Sequence, residues 1–130
     1  MMTELSCLGW ASALMKMVDQ YVAEKMSQQG PLPSDTTLVP LRMTRAGIAV
    51  PVTADRGEHA WRVPSAYLIE EWIPGEFLKY IHNSTAALHF LTGFGNDNLL
   101  RERQLYLSFV QHAQYVLTDS LVFVSDFQGT

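Results

Sequence analysis

Residues 67–83 read YLIEEWIPGEFLKYIHN. With Ser65 and Ala66 in front, the first part is apolar and aromatic enough to predict a buried strand over 65–72. Pro74–Gly75 is a turn signal. Residues 76–80, EFLKY, continue as a short strand or extended segment, and residues 81–85, IHNST, read as a loop. Sheet therefore lies in the middle of the chain, and what flanks it decides the fold class.

Upstream, Trp10, Leu14, Met17, Tyr21 and Val22 recur at spacings of three and four, which predicts one face of a helix over 10–28. Lys16, Asp19, Gln20 and Glu24 fall on the other face. GPLP at 30–33 ends the helix, because glycine suits the position past its end and proline cannot continue it. The methionines here read as core filler rather than as a cofactor site. Residues 37–43 and 46–52 are β-like, but Pro40 and Pro51 confine them to edge strands or extended segments. Residues 54–62 are a polar loop. Downstream, TGFGNDN at 92–98 is loop-like, and a second helix is expected over 97–116, capped by Asn96 or Asp97. Its expected apolar face is Tyr106, Phe109, Val110, Ala113 and Val116. Asp119–Ser120 then turns into a final buried strand, LVFV at 121–124. Helix, strands, helix, strand predicts an α+β fold.

The 130 residues suffice for one domain or a large part of one, and 48% hydrophobic with 17% charged residues fits a packed protein. The net charge of -4, with no Lys/Arg cluster, argues against a nucleic-acid partner. Cys7 is the only cysteine, so neither an intramolecular disulfide nor a cysteine-based zinc site can form, and an intracellular, cytoplasmic location is the expectation. No signal-peptide pattern and no apolar run of membrane-spanning length is present, so no membrane partner is expected.

GFG at 93–95 lacks the lysine-containing phosphate-loop pattern, and a plain flexible loop is the favoured reading. His59, His82, His89 and His112 show no metal-ligand spacing, and no GxSxG elbow supports a hydrolase triad. In SDFQG, 125–129, Asp126 and Gln128 offer two hard oxygens two positions apart, suited to Mg²⁺ completed by phosphate and water. On pattern alone, a structural aspartate in a turn remains the favoured reading over a ligand.

Taken in order, residues 67–83, a helix bearing His112 and the D-x-Q-G of 126–129 resemble the alpha-kinases, the atypical serine/threonine protein kinases. The resemblance runs from about residue 66 to Gly129. It implies an incomplete kinase-like two-lobe architecture: an N-lobe helix and strands, a hinge and the start of a C-lobe. The implied partial domain covers 6–128, with 6–73 as the N-lobe part and hinge strand and 74–130 as the hinge turn and start of the C-lobe. It implies a kinase transferring the ATP γ-phosphate to Ser/Thr of a protein substrate, with ATP and Mg²⁺ as cofactors. Glu70 and Trp72 match hinge positions whose backbone holds the adenine edge. Lys79 matches the lysine before tyrosine, and Asn83 the last asparagine of K-Y-N-N-N, near the transferred phosphate. Asp126 and Gln128 match the metal-binding pair, so Asp126, Asn83 and Lys79 are the implied catalytic residues, and Glu70, Trp72, Lys79 and Gln128 the implied cofactor-binding ones.

The sequence departs from the family at Ile81 and His82, which replace two asparagines. The family's phosphate-contacting lysine lies on an N-lobe strand, whereas Lys16 and Lys25 both lie on the first helix. The family's zinc site, a second aspartate and a glycine-rich segment lie beyond the residues matched here. These departures motivate the alternative of a catalytically inactive, kinase-derived interaction module.

Overall fold

The computed structural model describes residues 2–33, 38–50, 66–83 and 98–130. The elements run α1 (Met2–Gln29), β1 (Ala46–Ala49), β2 (Tyr67–Glu70), β3 (Leu78–Lys79), α2 (Asn98–Leu117) and β4 (Gln128–Gly129). β1 pairs antiparallel with β2, and β3 with β4, giving two small sheets and an α+β class. The expected caps at Asn96 and Asp97, the loops at 54–62 and 93–95, Pro51, His59 and His89 lie outside the described residues.

α1 begins well before the expected residue 10 and stops at Gly30, whose N–H donates to the Met26 carbonyl at 3.0 Å. Gly30 has φ +88°, the left-handed conformation that suits glycine just past a helix end. The buried face of α1 differs from expectation. Ala11, Leu14, Met15 and Val18 face inward, while Trp10 is 68% exposed. α1 packs on α2, and close helix approach favours small Ala11 and adaptable Met15 over a bulky indole.

On α2, Val110 and Ala113 are buried as expected, but Phe109 and Val116 are exposed. The other inward positions are Leu107, Gln104 and Gln114. α2 closes with a Schellman arrangement: Ser120 N–H donates to the Tyr115 carbonyl at 2.8 Å and Asp119 N–H to Val116 at 3.2 Å. Asp119 and Ser120 both take positive φ there.

The expected buried strand at 121–124 does not form. Leu121 is 86% exposed, Val122 and Phe123 are exposed too, and pairing begins only at Gln128. The reason lies in where this backbone finds partners. Gln111, Gln114 and Thr118 share a face of α2 and bind the segment in place of a neighbouring strand. Thr118 Oγ1 accepts from Val122 N–H at 3.2 Å, and its single proton lies between the carbonyls of Gln114 at 2.8 Å and Val122 at 2.9 Å. Gln114 Oε1 accepts from Val124 N–H at 2.8 Å, and Gln111 Nε2 donates to the Val124 carbonyl at 3.2 Å. Backbone groups outside a ladder need other partners, and one hydroxyl and two side-chain amides supply them here. Phe123 packs edge-on against Tyr115, with ring centroids 5.9 Å apart.

One turn-and-strand junction closes the core. Tyr80 and Ile81 N–H both donate to the Phe127 carbonyl, at 2.9 and 3.2 Å. Their side chains and Phe127 join Met15, Val18, Leu107, Val110 and Ala113 in a single cluster that draws on residues either side of position 73. Burying each valine completely contributes about 1.5–3 kcal/mol. Gly75 (φ +113°) makes the preceding turn, and a Cβ there would meet Thr130 at 3.3 Å, so the turn lies directly against the β4 end.

β2 is not the buried strand that residues 65–72 predict. Tyr67, Ile69 and Glu70 are exposed, and Leu68 is half-buried. Among the described residues this sheet has only two strands, so apolar composition alone does not bury it. What fastens its lead-in is charge. Glu71 takes ion pairs from Arg42 and Arg45, and its Oε1 accepts the Arg45 backbone N–H at 3.0 Å. The Arg42 hydrogen bond, then the Arg45 amide, holds the Glu71 carboxyl down to about 2.

Candidate functional site

Phe127 is buried and its carbonyl is committed to Tyr80 and Ile81, which fixes the residues on either side of it. Asp126 has φ +61°, a left-handed conformation that costs a non-glycine residue about 1–3 kcal/mol. That backbone turns its carboxylate towards Lys79 on β3, with Nζ 2.5 Å from Oδ1. The register places Lys79 directly opposite Gln128. Three of the sequence-predicted site residues, Lys79, Asp126 and Gln128, thus meet at one two-stranded junction.

The Lys79–Asp126 contact is close, yet Oδ1 is buried and accepts no directed hydrogen bond. The ammonium supplies charge but not hydrogen-bond geometry to that oxygen. The side chain as a whole is 38% exposed, so its exposure belongs to its other atoms. A carboxylate with one buried oxygen and an exposed remainder has the donor chemistry of a hard ligand.

Asp126 and Gln128 line a cleft of about 430 Å³ with Arg42, Ile73, Tyr80 and Arg103 among its other walls. That volume lies in the range of small-molecule sites. Glu70, Trp72 and Asn83 are not among its lining residues. Trp72 is 90% exposed, and Asn83 is exposed in the turn after β3. Glu70 closes β2 opposite Ala46. Because Glu71 N–H donates to the Arg45 carbonyl at 2.9 Å, ladder alternation turns the backbone groups of Glu70 away from β1. His112, which helped to carry the resemblance, is exposed on α2.

Three participants escaped the sequence reading. Tyr80 is buried and held at every polar group: its N–H by Phe127, its carbonyl by Gln104 Nε2 at 3.0 Å, and its hydroxyl by Arg103 at 3.3 Å. Arg103 and Arg42 reach the cleft from α2 and from the segment before β1. The glutamine spacing on α2 was the available signal, since Gln104, Gln111 and Gln114 share one helix face. Among the described residues, no group of three or more His, Cys, Asp or Glu is placed to hold a metal ion. No described helix is long and apolar enough to cross a membrane. Compared with known proteins, the chain matches no family model, no curated protein and no solved structure.

Proposed function

We propose that the chain carries the nucleotide site of an alpha-type protein kinase, with a protein Ser/Thr as phosphate acceptor. The observation that supports this reading most is that Asp126 and Gln128 line one cleft, while Lys79, outside its lining, pairs with Asp126 and lies opposite Gln128 in the ladder. Under it, Asp126 and Gln128 would hold Mg²⁺, and their donor set fits. Two hard protein oxygens, the Asp126 oxygen that Lys79 does not hold and the Gln128 amide oxygen, leave the remaining positions to phosphate and water. Bound Mg²⁺ would supply neutralisation of the charge on the phosphates. Lys79 orients the Asp126 carboxylate through its ion pair. The outward-turned backbone of Glu70 offers a donor and an acceptor for an adenine edge, as the hinge resemblance implies. A two-lobe division at the 73/74 boundary belongs to this same reading.

The second reading is an inactive, kinase-derived interaction module. The Lys79 ammonium favours it, because it already occupies one oxygen of the Asp126 carboxylate. Calorimetry with MgADP, followed by phosphate transfer from ATP to a basic protein substrate, separates the two. The kinase reading expects binding that Asp126→Asn weakens by about tenfold or more, and transfer that it abolishes. Nucleotide binding indifferent to Asp126→Asn would sink the assigned site. Binding without transfer would favour the inactive module.

A further inference from the structure

Three cations stand at or beside the cleft, and they differ in what they already hold. Arg42 is engaged by Glu71. Lys79 is engaged by Asp126. Arg103 is half-buried on the wall of the cleft, and among the described residues it has no carboxylate partner. Among those residues its Nη1 donates only to the Tyr80 hydroxyl, at 3.3 Å, a neutral and long contact. A guanidinium partly withdrawn from water with only a phenol for company retains most of its capacity for an anion. It is also well positioned, because Tyr80 is fixed by Phe127 and Gln104.

We infer that Arg103 is the phosphate-binding cation of this cleft, since Lys79 on β3 is already paired with Asp126 and Arg42 with Glu71. The inference rests on the nucleotide reading for its ligand, though Arg103 would recognise any polyphosphate by the same chemistry. The planar fork of arginine matches two phosphate oxygens at once, which a lysine ammonium cannot do. Asp126 and Arg103 would then meet opposite charges of one ligand: the cation that accompanies the phosphates, and the phosphates themselves.

The experiment is calorimetry on the whole chain with MgADP, adenosine and tripolyphosphate, for wild type, Arg103→Gln, Arg103→Lys and Tyr80→Phe. Arg103→Gln is expected to lose about tenfold in MgADP and tripolyphosphate affinity, the low end for a hydrogen bond to a charged group. Adenosine affinity should stay within about twofold, a split that general damage to the fold would not give. Arg103→Lys should fall between wild type and Arg103→Gln, and it serves as the informative variant if the glutamine form does not fold. Tyr80→Phe keeps the charge and should lose less than Arg103→Gln. Wild-type MgADP affinity in both Arg103 variants would overturn the inference while leaving the nucleotide reading intact. Arg103-dependent binding of tripolyphosphate without any nucleotide binding would uphold the inference and remove the kinase reading. Binding of neither ligand by wild type would overturn both.

Discussion

The two small sheets are built from comparable pieces of chain but held by different physics. β3–β4 has only two paired residues on each strand, yet it sits on Tyr80, Ile81 and Phe127, all buried in the main cluster. β1–β2 has four paired residues on each strand, and most of β2 faces solvent. Its lead-in depends on Glu71 and two arginines whose side chains are 65% and 87% exposed. Ladder length therefore does not rank these sheets; what lies beneath the ladder does. The candidate site is attached to the apolar-anchored sheet, and the proposed hinge to the charge-fastened one.

The largest test of this contrast is Phe127→Ala. Removing a buried aromatic costs about 3–5 kcal/mol, and the loss should appear as a shift in the urea unfolding midpoint. A change under about 1 kcal/mol would mean that the β3–β4 junction is not anchored by the core. Gln114→Ala comes next. It leaves the Val124 N–H without its partner and should cost about 1–3 kcal/mol. Retained stability together with unchanged amide exchange at Val124 would refute the assignment of that residue's partner. Thr118→Ala removes the acceptor of the Val122 N–H and should cost about 0.5–1.5 kcal/mol, with faster exchange at the Val122 amide as its signature.

The smallest effect belongs to the charge-fastened sheet. The folded Glu71 carboxyl stays ionised down to about 2, whereas its ordinary value is 4.5. Between those values the unfolded chain binds the proton more readily. The contribution is thus complete above about 4.5 and is lost as pH falls towards 2. Amide exchange at Gly47 and Ile69 should accelerate over that window, and added salt should weaken the protection because the arginines are exposed. Glu71→Gln should flatten the pH dependence. If the glutamine variant shows the same acid response as wild type, Glu71 is not the fastening.

Much of the helical framework was legible in the sequence, because its signals are local. Gly30 and the prolines after it mark the end of α1, and Pro74–Gly75 marks the turn before β3. The faces were less legible. Trp10 dominates any count of apolar residues, but the α1–α2 contact selects residues by size, so Ala11 and Met15 are buried instead. The LVFV run failed as a strand for a related reason. Its composition suits a ladder, but a ladder requires a neighbour, and the side chains of α2 take that place. Lys79, Asp126 and Gln128 were each singled out through the resemblance, but nothing in the local sequence places Lys79 opposite Gln128. Arg103 was not, because nothing in its local sequence separates an arginine facing a cleft from one facing water. Its role depends on Tyr80, which is distant in sequence.

The left-handed backbone at Asp126 carries one more consequence. A chain selected for robustness alone would place glycine there, since glycine adopts φ +61° without a steric penalty. Replacing Asp126 with glycine should therefore leave a protein at least as stable as one with alanine at that position. Under the proposed function, the aspartate gives up some durability for chemistry at this residue.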